Sequence, residues 1–595
     1  MIKILNLKSR SNSYRYLLSH LKSNKLESIL IVILSGVSAI SGGLSIGLII
    51  PILGGSTRPI FQDTPFDFLD NYLGIFSESD FNSRIRSAAI FIIILSSIEL
   101  VLNIYSGILA ARVEYKVNES IADKVIKKIG QIKYKTFFAQ ESGTYFTFLS
   151  SDILQIGSVV YKFLVTLQPF VLLTIYLIVM ASVSPYLTFA SIFFFVIVSI
   201  LITGILGRRL KNAQKELAEI LVTLNAELNE TFGNFKNILS SGIVESQLER
   251  MRASYIKFLK SRYKYSFNFT FGLPVNNFIN SFSIAMLIIL GAYIFRSQDE
   301  SWTVLLIPFL LLLFKVLPTI SQINNARNLI EANYVYNERI QRFLDLEEEP
   351  IDKNQIEFKK LNNDIAFNNV NFSYKDKTPV INNISFEIKK NKTTALLGES
   401  GSGKSTIVDL ILKIYKPDNG NILIDDTDLL NINSNSLRQN ISYVSQDALF
   451  FNRTIEENIK LFNTEISDKN IQNSMRILNL ENVIPEIKST LGQGGINLSS
   501  GQKQKLNFIR SYLKPSELLI LDEPTSNLDF DSEDTLKKYI EEVKNDQTIL
   551  LITHSRRLLE LADEIVVIEK GEILDNGPSK EILKNNKYVL KMVDN

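Results

Sequence analysis

The sequence of 595 residues has no cysteine, which excludes disulfide bonds, thiolate metal sites and cysteine nucleophiles. It also lacks an excess of charge of one sign, because 64 Lys and Arg residues face 62 Asp and Glu residues. This balance gives no support for a nucleic-acid partner. Long apolar runs are missing after about residue 350, although hydrophobic residues make up 46% of the whole chain and charged residues 21%. Apolar and charged residues are therefore segregated, which predicts at least two domains.

Six long apolar stretches occur before about residue 325. They cover residues 28–52, 86–111, 159–183, 186–206, 267–295 and 302–323. Each supplies the roughly 20 residues that a helix needs to cross the hydrocarbon core of a bilayer. The alternative is a set of buried helices in a soluble protein, but six such runs would require an implausibly large core. We therefore predict a polytopic α-helical membrane domain with six transmembrane helices over residues 28–345.

Basic residues near the N-terminus predict the orientation of these spans. Six of them precede the first stretch: Lys3, Lys8, Arg10, Arg15, Lys22 and Lys25. Such charges favour the cytoplasmic side, and residues 1–27 have the pattern of a cytoplasmic elbow helix on the membrane surface. Six crossings return the C-terminus to the same side, so both termini are expected in the cytoplasm. With no targeting segment in view, we expect a multi-pass protein of the bacterial inner membrane.

Two charged stretches with a helical pattern, 112–158 and 207–266, fall on the cytoplasmic side in this orientation. We predict that they extend the membrane helices into the cytoplasm, with turns near Ser142-Gly143 and Ser241-Gly242. On the outer side, residues 65–76 fit either an amphipathic surface helix or an ordinary structured loop.

A linker at 346–360 leads to a second domain at 361–595, where strands and helices alternate in an α/β pattern. Its clearest motif is GESGSGKST, which follows the apolar strand TTALL and opens a helix. Strand, glycine-rich loop and helix in this order are typical of a phosphate-binding loop. The glycines let backbone N–H groups cradle phosphates, Lys404 adds positive charge, and the Ser405 hydroxyl can bind Mg²⁺. The candidate ATP-binding residues are Gly398, Ser400, Gly401, Gly403, Lys404, Ser405 and Thr406.

An apolar strand that ends in two carboxylates lies further along the chain, in ELLILDE at 517–523. Asp522 is suited to the Mg²⁺ shell, and Glu523 is suited to orient and polarise the attacking water. Alone this pattern is weak evidence. Combined with the upstream phosphate loop, it indicates ATP hydrolysis.

The order of these motifs, with INLSSGQKQKL between them, resembles the ATP-binding cassette (ABC) family, whose LSGGQ signature corresponds to LSSGQ at 498–502. The resemblance covers essentially the whole chain, because six spans followed by one cassette form the layout of an exporter half-transporter. It implies a type IV exporter-like membrane domain followed by an α/β P-loop ATPase domain. It also implies ATP and Mg²⁺ as cofactors and an ATPase coupled to transport.

The resemblance further implies roles for individual residues. Tyr374 would stack on adenine, Gln446 would link Mg²⁺ to the membrane domain, and His554 would contact the γ-phosphate. Asp529 matches the D-loop. The signature residues expected to contact the ATP of the opposite subunit are Ser499, Ser500, Gly501 and Gln502. The catalytic set is then Glu523, His554 and Gln446, and the Mg²⁺ set, partly through water, is Ser405, Gln446 and Asp522.

Two positions depart from the family pattern. Ser500 replaces the second glycine of the signature, so its Cβ could crowd the backbone that faces the phosphate of the other subunit. Gln493 stands where the family usually places a glutamate, which puts a charge-dependent contact between cassettes in doubt. Neither change affects Lys404, Asp522 or Glu523, so hydrolysis is still expected.

A single cassette carries a phosphate loop and a signature that cannot both reach the same ATP. Two chains are therefore expected to meet head to tail, as a homodimer or as a heterodimer with a second gene product. ATP would hold the closed pair together, and hydrolysis would separate it. The membrane helices would then rock between inward and outward access.

Two charged residues interrupt the apolar spans. Lys315 lies 13 residues past Trp302, and Glu99 lies 13 residues past Arg86, so both reach a depth of about 20 Å. A charge in lipid costs several kcal/mol, so we expect both to line the substrate path or to face each other. Snorkelling of Lys315 to the interface is the alternative.

The run LLFKVLPTISQINNAR, residues 312–327, is similar to half-transporters that flip lipid-linked sugars or export polysaccharide precursors. This resemblance implies an amphipathic, anionic substrate such as a lipid-linked oligosaccharide, a glycolipid or a polysaccharide precursor. A peptide or multidrug exporter of the same architecture is the first alternative. An ATP-gated channel or sensor is an alternative of another class.

Overall fold

The computed structural model describes residues 22–47, 81–139, 142–271, 301–348 and 355–593, together with scattered positions between 274 and 289. Within these ranges it leaves out 375–378, 447, 462–465, 482–486, 493–494, 496, 527, 529 and 545. The chain divides into two compact units. One consists of Met1–Ile132 and Thr136–Glu347, and the other of Lys133–Lys135 and Glu348–Asn595.

The N-terminal part of the chain is helical where it is described. Its helices are α1 Lys25–Gly47, α2 Phe81–Gln131, α3 Tyr134–Ala139, α4 Ser142–Thr147, α5 Ile153–Val165, α6 Leu167–Val183, α7 Pro185–Gly233, α8 Phe235–Ser240, α9 Val244–Thr270 and α10 Ser301–Leu344. A π-helical turn, Phe148–Asp152, connects α4 to α5. Helix α1 packs against α2 and α6, and α10 packs against α5, α6 and α7.

Several of these helices are long and apolar enough to cross a membrane. Among the described residues the segments are Lys25–Ser45, Ala89–Gln131, Gly143–Ala181 and Phe309–Leu344. They overlap the first, second, third and sixth predicted spans. The fourth predicted span, 186–206, lies on α7. The fifth, 267–295, falls largely outside the described residues, as do most of the elbow at 1–27 and the whole of 65–76.

Helices α2 and α7 continue without a break from the predicted spans into the predicted cytoplasmic stretches. Helix α2 has 51 residues and α7 has 49, so each is much longer than a membrane crossing. Ser184 begins α7 by accepting a hydrogen bond from the backbone of Leu187, and Pro185 occupies the first helical turn, where its missing N–H costs nothing.

The two predicted turns have different outcomes. The turn at Ser241-Gly242 is confirmed, with Gly242 at a φ of +68°. Near Ser142-Gly143 the chain is interrupted between α3, which ends at Ala139, and α4, which begins at Ser142, and residues 140–141 between them lie outside the described residues. A Cβ on Gly143 would lie 2.5 Å from the backbone nitrogen of Ala226 on α7. The glycine therefore allows close approach of two helices and does not form a turn.

A buried ion pair joins α10 to the π-helical turn. The Nη1 atom of Arg339 lies 3.2 Å from Oδ2 of Asp152, whose side chain is fully buried. The same guanidinium donates to the backbone carbonyl of Ala218 on α7, at 3.4 Å. One side chain thus connects three helices through charge and hydrogen bonds.

Replacing Arg339 with alanine should destabilise the protein by about 3–5 kcal/mol, because Asp152 would remain buried without its partner. Thermal unfolding of the detergent-solubilised protein would measure the loss. Arg342→Ala is the matched control on the same helix, since its 3.9 Å pair with Glu338 is largely exposed and should contribute less than about 1 kcal/mol. Equal effects of the two substitutions would contradict this prediction.

The C-terminal unit is an α/β domain with two sheets. Its elements are β1 Asp364–Phe372, β2 Ile381–Lys389, β3 Thr393–Leu397, α11 Lys404–Ile411, β4 Asn419–Ile424, β5 Thr427–Asp428, α12 Ser434–Gln439, β6 Ile441–Val444, α13 Ile455–Lys460, α14 Asp468–Ile477, α15 Ser500–Leu513, β7 Leu518–Asp522, α16 Phe530–Val543, β8 Thr548–Ile552, α17 Arg556–Leu559, β9 Glu564–Glu569, β10 Glu572–Pro578, α18 Ser579–Asn585 and α19 Lys587–Val593. One sheet has the order β2-β1-β4-β5 and the other β10-β9-β3-β8-β7-β6.

The central strands of the six-stranded sheet are buried on both faces. Strands β3, β7 and β8 are buried at every position, and their alternate side chains enter two separate hydrophobic clusters. Leu519 and Leu521 face one cluster, whereas Leu518 and Ile520 face the other. Strands β9, β3, β8, β7 and β6 are parallel neighbours, so their carboxyl ends lie along one edge of the sheet. Loops that follow them can therefore combine into a site.

Candidate functional site

The predicted phosphate loop follows β3 and leads into α11. Gly401 and Gly403 have φ angles of +81° and +109°, in the region that side chains disfavour. A Cβ on Gly398 would lie 2.2 Å from the backbone oxygen of Ile568, and one on Gly403 would lie 2.5 Å from the side chain of Ile381. Glycine is thus required here both by backbone conformation and by close packing. The loop presents the N-terminus of α11, which favours an anion.

Lys404 is the first residue of α11, and only 7% of it is exposed. Its ammonium group donates to the backbone carbonyls of Gly398 and Glu399, so the side chain folds back across the loop. Burial lowers the pKa of Lys404, and the nearby carboxylates of Glu523 and Asp522 oppose this shift. The loop therefore holds a positive charge beside two negative ones.

The aromatic ring of Tyr374 is anchored next to the phosphate loop. Its hydroxyl lies 2.9 Å from Oγ1 of Thr406 and 3.4 Å from Oδ2 of Asp409 on α11. The ring meets those of Phe372 and Tyr415 edge-on, with centroids 5.0 and 5.2 Å away. These contacts fix a partly exposed aromatic side chain beside the phosphate loop.

Three predicted catalytic residues meet just beyond the ends of β6, β7 and β8. The Gln446 amide donates to Oε2 of Glu523 at 2.9 Å, and Nε2 of His554 lies 3.9 Å from Oε1 of the same carboxylate. Glu523 adopts a φ of +47°, which is uncommon for a residue with a side chain. Its backbone N–H donates to the carbonyl of Ile552 at the end of β8. Burial, followed by the charge of Lys404, lowers the pKa of His554, which favours the neutral imidazole.

Asp522 ends β7 with 7% of its surface exposed. Its Oδ2 accepts a hydrogen bond from the Tyr443 hydroxyl at 3.1 Å. Burial raises the pKa of Asp522, while the bond from Tyr443 and the charge of Lys404 act in the opposite direction. A carboxylate beside a phosphate loop suits Mg²⁺, which binds through one or two carboxylates plus substrate phosphates. Ser405 and Gln446 supply the further oxygen ligands that such a cation could use.

The signature segment forms the start of α15. Ser499 is the N-cap: its hydroxyl accepts from the Gln502 backbone, and the Gln502 side chain accepts from the Ser499 backbone. Ser500 is the first helical residue, exposed and without a positive φ. The substitution of glycine by serine therefore causes no backbone strain within this chain. Gln493 and Asp529 lie outside the described residues.

Sequence reasoning missed three side chains of α15 that hold the segment carrying Gln446. Asn507 donates to the carbonyl of Ser445 at 3.3 Å, Arg510 donates to that of Leu449 at 3.0 Å, and Ser511 donates to that of Tyr443 at 3.3 Å. The three positions share one helix face because they are spaced i, i+3 and i+4. Polar residues at this spacing on an otherwise buried helix were the available signal.

The two charged residues of the spans lie close enough for their charges to interact. Lys315 is exposed on α10, and Glu99 is half-buried on α2. The Oε1 atom of Glu99 accepts from the Gln168 amide at 3.4 Å. A Cβ on Gly42 of α1 would lie 2.9 Å from its carboxylate. Glu99 is thus held between α1 and α6, whereas Lys315 is free of close packing on its exposed side.

Comparisons with known proteins identify the family of the chain. The model of the ABC transporter transmembrane region matches residues 26–317, and the ABC transporter cassette model matches residues 381–526. The chain belongs to the ABC transporter family.

A solved structure described as a bacterial Atm1-family ABC exporter with ATP bound matches with a TM-score of 0.81 and 19% identity. The match covers 96% of this chain and 98% of that chain. This likeness establishes the type IV ABC exporter fold, with a helical membrane domain followed by an α/β nucleotide-binding domain.

Curated relatives are exporters or ATP-binding proteins. The heterocyst differentiation ATP-binding protein HepA of Nostoc sp. is 27% identical over 574 residues, covering 96% of this chain and 93% of that protein. The ATP-dependent lipid A-core flippase of Yersinia pestis is 30% identical over 387 residues, covering 64% and 66%. The leukotoxin translocation ATP-binding protein LktB of Mannheimia glucosida is 37% identical over 232 residues, covering 38% and 33%. The ABC transporter is therefore a membrane-embedded ATPase coupled to export.

Replacing Ser500 with glycine should leave the ATPase rate within about twofold, because a helical first-turn position gains little from glycine. Gly403→Ala provides the opposite case. The added Cβ would clash with Ile381 and strain a backbone with a φ of +109°, so this substitution should disrupt nucleotide binding. Steady-state ATPase measurements and ATP-binding titrations on both variants would check the pair. A tenfold or larger gain in Ser500→Gly would instead show that the serine crowds the signature.

Proposed function

We propose that this transporter uses Mg²⁺ and ATP to flip an amphipathic, anionic lipid-linked molecule across the membrane. The substrate class is a lipid-linked oligosaccharide, a glycolipid or a polysaccharide precursor. The observation that carries this proposal is the exposed Lys315 on the apolar helix α10, near Glu99. An anionic headgroup is a suitable partner for such a cation, because a charge on an apolar membrane helix is costly unless it is paired. The lipid A-core flippase among the relatives supports the same substrate class.

The roles of the ATP-site residues in this proposal follow from their positions. Lys404 and the N–H groups of the phosphate loop bind the phosphates, and Tyr374 stacks on adenine. Glu523 orients the attacking water, with Gln446 and His554 on either side of its carboxylate. Asp522, Ser405 and Gln446 hold Mg²⁺, which neutralises charge on the phosphates when it is bound.

The site becomes complete when two copies of the chain meet. The signature helix α15 begins with Ser499 and Ser500 exposed, so its N-terminus is accessible to the ATP bound by another subunit. We favour a homodimer because this chain carries both Glu523 and His554 and needs no partner to supply them. We further propose that the dimer lies in the inner membrane with both termini in the cytoplasm.

A protein or peptide exporter is the second candidate. The LktB relative supports it, but that match covers only 38% of this chain, compared with 64% for the lipid A-core flippase. A channel or sensor, the alternative of another class, requires no turnover. The close arrangement of Gln446, Glu523 and His554 therefore favours a pump.

Glu523→Gln should reduce ATP turnover by at least about 100-fold, because the amide cannot polarise water. The same variant should accumulate as a nucleotide-bound dimer with Mg-ATP, measurable by size-exclusion chromatography and bound-nucleotide analysis. Glu541→Gln, an exposed position on α16, is the matched control and should turn over normally. If the cassettes of two Glu523→Gln chains did not associate at saturating Mg-ATP, the dimer mechanism would be contradicted.

Lys315→Ala should keep basal ATPase and lose stimulation by an anionic lipid-linked substrate. The reason is that the ATP site lies in the other unit, whereas the proposed headgroup contact is removed. Proteoliposomes would be tested with lipid-linked glycans, lipid A-like molecules and hydrophobic peptides in parallel. Lys257→Ala, an exposed lysine of α9, is the control. Stimulation of the parent by peptides alone would favour the second candidate, and unchanged transport by Lys315→Ala would discard the proposed role of this lysine.

A further inference from the structure

The hydroxyl of Tyr443 makes a hydrogen bond that the roles above do not explain. It donates to Oδ2 of Asp522 at 3.1 Å. Among the described residues, no other side chain donates a hydrogen bond to this carboxylate. A phenol is neutral at physiological pH because its ordinary pKa is about 10, so it can act as the donor. Oδ1 then remains for another ligand.

The strand register explains why this tyrosine reaches Asp522. Strand β6 is the edge strand of the six-stranded sheet and runs parallel to β7. Tyr443 pairs with Ile520, two residues before Asp522. Because side chains alternate across a strand, Ile520 and Asp522 lie on one face. The tyrosine ring therefore extends along the sheet towards the carboxylate at the end of the neighbouring strand.

The backbone of Tyr443 is held from both sides. The sheet fixes it through β7, and the Ser511 hydroxyl donates to its carbonyl oxygen at 3.3 Å. Its neighbours in the strand, Ser442 and Val444, are buried. The side chain is itself 37% exposed, so it is not retained only to fill the core. A rigid backbone and a partly exposed hydroxyl are properties of a group that orients a ligand.

We propose that Tyr443 is a positioning residue for the metal ligand Asp522, and that its hydroxyl fixes Oδ2 so that Oδ1 is available to Mg²⁺. This inference rests on the proposed Mg-ATP site and adds a residue to it. Partners that orient a metal ligand are commonly worth 10- to 100-fold in metal affinity or activity. Removal of the hydroxyl should thus weaken the metal and leave the adenine and phosphate contacts of Tyr374 and Lys404 intact.

The test uses the full-length protein in nanodiscs, with Mn²⁺ as the metal probe and ATP as the nucleotide. The background is Glu523→Gln, in which turnover does not interfere. Tyr443→Phe should raise the Mn²⁺ concentration that gives half-maximal ATP retention by about tenfold. Its ATP affinity in EDTA and its unfolding temperature should match those of the background. Tyr512→Phe, whose ring packs against Tyr539, is the matched control and should change none of these values.

A double-mutant cycle with Asp522→Asn separates positioning from a structural role. If Tyr443 acts through the carboxylate, Tyr443→Phe should have little further effect on metal dependence once Asp522 is neutralised. An unchanged Mn²⁺ midpoint in Tyr443→Phe would overturn the inference, as would a parallel loss of ATP affinity in EDTA. A Glu523→Gln background that retains ATP equally with and without Mn²⁺ would contradict the metal assignment itself and overturn the inference with it.

Discussion

The parallel pairing of β7 with β8 is the constraint on which the ATP site depends. Asp522 pairs with Ile552, so both strands end at the same level of the sheet. Glu523 follows Asp522 directly and His554 comes two residues after Ile552, and the bond from the Glu523 backbone to the Ile552 carbonyl holds the two strand ends together. A slip of one residue would turn each side chain to the opposite face. Burial of both sheet faces makes such a slip costly, so the apolar core positions the catalytic groups.

Helix α15 connects that sheet to the signature segment. Helix α15 begins at Ser500 and carries Asn507, Arg510 and Ser511 on one face. These side chains bond to backbone carbonyls between Tyr443 and Leu449, the segment that includes Gln446. The residue proposed to face the partner's ATP and the residue beside Glu523 are therefore attached to the same helix. Within one cassette, a shift of the signature residues at the start of α15 is therefore connected through that helix to the segment that carries Gln446.

Much of this architecture could be predicted from the sequence because its signals are local. The length of the apolar stretches indicated membrane helices, and the spacing of GESGSGKST indicated the phosphate loop. In the structure, Gly401 and Gly403 of this loop have positive φ angles. Contacts between distant residues could not be predicted in this way. The bond from Tyr443 to Asp522 depends on strand register, and the Asp152–Arg339 pair joins residues 187 positions apart. The close contact of Gly143 with α7 is another example, because glycine serves both turns and close helix packing and the sequence does not separate the two.

The unbroken length of α2 and α7 has a mechanical consequence. At 1.5 Å per residue, a helix of 51 residues extends about 75 Å. Backbone hydrogen bonds close every interior turn, so the helix contains no flexible loop that could bend and absorb a displacement of one end. Tilting one end by a few degrees must move the other end by several ångströms. A helix of this length therefore acts as a lever, in which a small tilt at one end becomes a larger displacement at the other.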